Sequence, residues 1–174
     1  MTGGTVNTTG TITTTDGTTV ETNSGSHGLR TYEGNVTISG GTIVGNYDGI
    51  HCYKNDNATE LGTITITGGK IQGVSQYGIY DNVGKIITLG TNDSNVSKIT
   101  PEISGQNLIG VYRIADSDTA GGKFYFYDGI IKGKTAINGK VTGIPTGYGI
   151  ETTTSNNVQS AILKKNATMT VSNA

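Results

Sequence analysis

The sequence predicts an all-β protein folded as a single-stranded, right-handed parallel β-helix of about five or six coils, each with three short strands. Three observations point there. A motif of the form x-h-x-h-x-[G/D]-G-x-I-x-G, with h apolar, recurs as NVTISGGTIVG from Asn35, TITITGGKIQG from Thr63 and KFYFYDGIIKG from Lys123. A second element, Gly then an aliphatic residue, follows at Gly28-Leu29, Gly49-Ile50, Gly78-Ile79, Gly110-Val111 and Gly149-Ile150, in steps of 21, 29, 32 and 39 residues. Composition agrees: the 174 residues hold 28 Gly, 30 Thr and 20 Ile against five Leu, seven Ala and five Glu, which favours strands and tight turns over helices.

In the first strand of each repeat, alternation puts Val36 and Ile38, Ile64 and Ile66, Ile87 and Leu89, and Phe124 and Phe126 on one face. Fainter copies are TITTTDGTTVE from Thr11 and a split one, KIITLG from Lys85 with PEISG from Pro101. The corner that follows uses Gly for positive φ. The second strand carries the Ile after that corner, and the third is the Gly-aliphatic element. Three such strands cannot bury a face alone, but stacked repeats can, at about 4.8 Å per step. Stacking predicts three internal columns: Val36, Ile64, Ile87, Phe124 and Met169; Ile43, Ile71, Ile103 and Ile131; Leu29, Ile50, Ile79, Val111 and Ile150. A β-sandwich would not require the same Gly at the same offset, and a propeller blade has a longer period. The tail ATMTV from Ala167 opens a further coil, so residues 1–174 read as one β-helix domain, a fragment of a longer solenoid or surface protein. An open coil end predicts end-to-end self-association.

The motifs NVTISGGTIVG and TITITGGKIQG, with the recurring YGIY-type strand, resemble right-handed parallel β-helices of the pectin-lyase-like class. More narrowly, they resemble Gly- and Thr-rich repeats of Firmicutes surface proteins. The resemblance spans most of residues 10 to 172 and implies an architecture; no catalytic motif of the class falls on this chain.

Several classes are excluded by composition. A net charge of −1 offers no basic excess for nucleic acid or an anionic membrane. No apolar run approaches the roughly 20 residues that span a bilayer, so no membrane insertion is expected. The lone Cys52 allows no internal disulfide and reads as a small buried hydrophobe. The stretch TGGTVNTTG after Met1 has no features of a signal peptide.

The residues after each Gly-aliphatic pair are Arg30, His51, Tyr80, Tyr112 and Glu151, a row expected to face outward and to suit a sugar chain or a surface protein. Asp48, Tyr77 and Tyr148 precede the glycines and line the same region. An ordinary solvated polar ladder is the competing reading. For catalysis the chain offers Asp48, His51, Asp81, Arg113 and Glu151, which match no known constellation. Asp116, Asp118 and Asp56 are weak candidates for Ca²⁺, although Asx-rich turns have the same composition. His27 and His51 lack zinc-ligand spacing, and no cofactor is expected. A Thr column, Thr13, Thr37, Thr65, Thr88 and Thr170, is interrupted by Tyr125. The resulting expectation is a non-catalytic module of an extracellular or cell-surface bacterial-type protein, adhesin-like and glycan- or protein-binding. The alternative is a polysaccharide lyase or glycoside hydrolase, and an ice-binding solenoid comes third.

Overall fold

The computed structural model describes residues 27–54, 61–92, 100–113 and 122–165, together with the backbone of three short strands before them. In chain order the strands are β1 (Thr5–Asn7), β2 (Ile12–Thr14), β3 (Val20–Thr22), β4 (Leu29–Thr31), β5 (Val36–Ile38), β6 (Thr42–Gly45), β7 (Ile50–Cys52) and β8 (Thr63–Ile66). They continue as β9 (Lys70–Gly73), β10 (Tyr77–Asp81), β11 (Ile86–Leu89), β12 (Glu102–Arg113), β13 (Phe124–Phe126), β14 (Ile130–Asn138), β15 (Tyr148–Ser155) and β16 (Val158–Lys165). The described residues contain no helix, as the shortage of Leu, Ala and Glu predicts.

These strands form two sheets. The smaller has five strands in the order β13-β11-β8-β5-β2 and is parallel from β5 to β13. Its first strands alternate buried and outward residues, so Val36, Ile64, Ile87 and Phe124 pair in register along one inner line. The larger sheet has eleven strands and is mixed. One parallel run, β6-β9-β12-β14, aligns Ile43, Ile71, Ile103 and Ile131. Another, β4-β7-β10-β12-β14, aligns Leu29, Ile50, Ile79, Val111 and Ile137. All but Ile137 are fully or almost fully buried in one core cluster fed by both sheets. Burial of each such side chain stabilises the fold by about 1.5–3 kcal/mol against exposure.

The Gly-aliphatic motif follows from this packing. A Cβ on Gly28, Gly49, Gly78 or Gly110 would lie 2.6, 2.5, 2.7 or 2.5 Å from the Cγ2 of Ile43, Ile71, Ile103 or Ile131 respectively. Only glycine lets the third strand press so closely against the Ile line.

The architecture corrects the expectation of a single right-handed β-helix with three separate sheets. There are two sheets: the larger is mixed, and the smaller is parallel except where β2 pairs antiparallel with β5. The second and third strands of a repeat belong to the same sheet, because the twelve-residue β12 pairs with β9 through Glu102–Gly105 and with β10 through Ile109–Arg113. Bends at Asn46–Gly49 and Val74–Gln76 separate the equivalent strands in earlier repeats. In β12 the segment between stays extended, absorbing the change as a register shift between Gly105 and Ile109.

A second correction concerns the last Gly-aliphatic pair. Gly149-Ile150 does not stack on Gly110-Val111. It belongs to a hairpin in which β15 and β16 pair antiparallel, and β16 also pairs antiparallel with β14. The turn is Asn156-Asn157, with φ of 51° and 62°. Two consecutive residues at positive φ reverse the chain with the twist a hairpin needs, and Asn tolerates that region better than most residues. The β14 edge at Ile130–Gly133 is thereby covered. The segment from Ala167, including Met169 and Thr170, lies outside the described residues.

Candidate functional site

The larger sheet carries a row of side chains one position beyond the buried aliphatic line. Arg30, His51, Tyr80, Tyr112 and Asn138 are neighbours in register on β4, β7, β10, β12 and β14. The first four match the sequence reading. Asn138 takes the place expected for Glu151, which lies on the hairpin and accepts an ion pair from Lys164 Nζ at 2.8 Å. Tyr148 also leaves the row. It pairs with Lys165 on β16 and packs partly buried against the core.

The row is wider than the sequence reading found. Tyr32 and Tyr53 stand two residues after Arg30 and His51, so alternation puts them on the same side. Ring centroids step from Tyr32 to Tyr53 at 5.3 Å, Tyr53 to His51 at 4.2 Å, His51 to Tyr80 at 4.7 Å and Tyr80 to Tyr112 at 5.1 Å. Tyr77 joins Tyr80 at 4.7 Å and Tyr112 at 5.3 Å. The Arg30 guanidinium lies 4.3 Å from the Tyr53 ring centre, a cation–π distance. These side chains are half-buried, not exposed as expected, because each ring covers its neighbour. Tyr80 and Tyr112 are within 16° of parallel, so their faces are largely occupied by each other. Ring edges and phenolic hydroxyls are what the row presents. Burial and the neighbouring phenols hold the Tyr80 and Tyr77 hydroxyls above their ordinary pKa.

Beside the row is a cluster the sequence reading did not assemble. His27, Asp48 and Tyr77 each precede a glycine of the repeat, and the bonds Gly28 N–H to Asp48 O (3.0 Å) and Gly49 N–H to Tyr77 O (2.9 Å) stack them. Asp48 Oδ2 accepts a hydrogen bond from His51 Nδ1 at 2.7 Å and lies 3.0 Å from His27 Nδ1. The Tyr77 amide donates to Asp48 Oδ1 at 3.2 Å. Asp48 is 2% exposed. Burial alone would raise its carboxyl, but the His27 and His51 imidazoles and the Tyr77 amide outweigh that and hold it below the ordinary value. Tyr53 Oη lies 3.4 Å from His27 Nε2. The position before a repeat glycine, which His27 shares with Asp48 and Tyr77, is the feature of the sequence that groups the three.

The other catalytic candidates serve the interior. Thr31, Cys52, Asp81 and Arg113 occupy one register position on four adjacent strands, all buried. Arg113 donates from Nε to Asp81 Oδ2 at 3.0 Å and from Nη2 to Lys85 O at 2.8 Å. Asp81 also accepts from the amides of Val83, Gly84 and Lys85. Lys85, fully buried, donates from Nζ to the carbonyls of Tyr32 and Leu61. Burial lowers the Lys85 pKa, with opposing contributions from Cys52 and Asp81. Burial, then Asp81, pushes the Cys52 thiol well up, so it is an unreactive core residue. On the smaller sheet Thr37, Thr65 and Thr88 align with Tyr125, which stacks on Tyr127 at 5.5 Å. Asp56, Asp116 and Asp118 lie outside the described residues.

No protein-family model, curated protein or solved structure matches the chain. Among the described residues no helix is long and apolar enough to cross a membrane.

Proposed function

We propose that the protein is a non-catalytic binding and scaffolding module of an extracellular or cell-surface protein, and that the aromatic row is the face that meets a glycan. The observation that carries this reading is the unbroken line of rings from Tyr32 to Tyr112, set on strands whose backbones are mutually hydrogen-bonded. A surface so preorganised loses little entropy on binding. Because the ring faces are largely occupied by each other, contact is made by edges and hydroxyls, which suits a hydroxyl-rich chain lying along the row. Low charge and an abundance of Thr and Asn support an extracellular setting. The polysaccharide-cleaving alternative has no specific observation in its favour, since its candidate residues are divided between the row, the buried Asp81–Arg113 pair and the hairpin.

The test is a panel of neutral and acidic glycans probed with the wild-type protein and with a Tyr80→Ala, Tyr112→Ala double variant. Binding of one glycan class by the wild type is expected, weakened by about 1–3 kcal/mol in a double variant that keeps its far-UV dichroism. Absence of any glycan binding, or a folded double variant that binds unchanged, contradicts the proposal.

A further inference from the structure

We propose that His27, Asp48 and His51 form a binding site for a divalent transition-metal ion of the zinc class. Each offers one ligand atom, and the three atoms lie within 4.8 Å of one another. Two neutral imidazoles and one carboxylate make an N₂O set with a single negative charge. That set suits Zn²⁺, Cu²⁺ or Ni²⁺ better than Ca²⁺ or Mg²⁺, which prefer oxygen alone.

The hydrogen-bonding pattern supplies an independent reason. His27 Nδ1 is buried and makes no hydrogen bond, although it lies 3.0 Å from Asp48 Oδ2. His27 Nδ1 and His51 Nδ1 both converge on the same carboxylate oxygen of Asp48, the arrangement that a cation bridges. Ligand bonds of about 2.0–2.2 Å require the atoms to stand roughly 3.3 Å apart in a tetrahedral arrangement. The two nitrogens stand 2.7 and 3.0 Å from Asp48 Oδ2 and the three atoms lie within 4.8 Å of one another, so side-chain rotation must open the first two distances by a few tenths of an ångström and draw the imidazole nitrogens together.

The surroundings fit a metal centre. Asp48 is fixed by the Tyr77 amide and His27 is flanked by Tyr53, outer contacts of the kind that orient metal ligands. The His27 and His51 side chains are 14% and 15% exposed and Asp48 is 2% exposed, so an ion can enter and then be shielded. Three protein ligands leave a fourth coordination position for water. The inference is independent of the glycan proposal, because it is tested with no glycan present.

The experiment titrates Co²⁺ into the metal-free protein and follows its visible d–d absorption, then repeats the titration with Zn²⁺ by calorimetry. One ion per chain is expected, with the strong visible bands of a low-coordinate site, displaced by Zn²⁺. The His27→Gln and Asp48→Asn variants are each expected to lose more than about tenfold in affinity, as removal of a ligand requires. His27 lies outside the strands, two residues before β4, so the far-UV dichroism of His27→Gln should match the wild type even if Asp48→Asn unfolds. Absence of both absorption and heat in the wild type overturns the proposal. So does a folded His27→Gln variant that binds Co²⁺ as tightly as the wild type, because the ion then sits elsewhere.

Discussion

At Asp48 a nearly buried carboxylate is held in its charged form by two imidazoles and an amide, and its pKa lies below the ordinary value of 3.8. A depressed carboxyl pKa adds stability that is complete above the unfolded-state value and is lost as pH falls through the folded one. The urea midpoint is therefore expected to fall below about pH 4. Asp48→Asn should lower the midpoint at neutral pH and flatten that acid limb; an equally steep limb in the variant would show that other carboxylates carry it. The glycines offer a sharper test. Gly49→Ala places a methyl 2.5 Å from Ile71 Cγ2 and 2.6 Å from the Gly78 carbonyl oxygen. Overpacking of this kind costs about 1–3 kcal/mol, to be measured by urea denaturation, and a neutral result would contradict the close approach. The role of these glycines was only half legible in the sequence. Their spacing marks the strand, but nothing local reveals that the contact they permit is with the Ile line of the neighbouring strand.

Among the elements, β10, β12, the turn at Asn82–Lys85 and the segments at Tyr32 and Leu61 are tied together by Asp81, Arg113 and Lys85. Removing one partner of a buried ion pair leaves the other uncompensated. Asp81→Ala should therefore destabilise the protein by about 3–5 kcal/mol. Adding Arg113→Met should recover part of that loss, a coupling that a double-mutant cycle measures; strictly additive costs would mean the pair does not act as a unit. Alternation made the inner lines of β5, β8, β11 and β13 readable because one face of each is buried. It could not reveal that Asp81 and Arg113 are inward too, because a buried charge is recognised only by its partner, 32 residues away. The β15–β16 hairpin turns at Asn156-Asn157, whereas Gly149-Ile150 matches the earlier repeats in sequence but not in pairing.

For the molecule as a whole, local repetition foretold the stacking from Leu29 to Val111, Val36 to Phe124 and Ile43 to Ile131 but not at Ile150, and the sheet plan depended on features outside the repeat. These are the continuous extension of β12 and the reversal at Asn156-Asn157. That reversal gives the parallel run an antiparallel cover at β14, and an uncovered edge is a template for association. Ala161, fully buried and paired with Ile131, anchors the cover. Ala161→Asp should lift it and produce concentration-dependent self-association in sedimentation velocity. A variant that sediments as the wild type at every concentration would remove the hairpin's protective role.

The central functional claim is that ligand meets the molecule along the row from Tyr32 to Tyr112. It is tested most directly by the aromatic NMR resonances of the protein during titration with a glycan found in the panel. The account predicts shifts confined to Tyr53, Tyr77, Tyr80, Tyr112 and their neighbours on the larger sheet, with Tyr125 and Tyr127 on the smaller sheet unmoved. Shifts centred on Tyr125 and Tyr127, or saturable binding that leaves every ring of the row unperturbed, would contradict it.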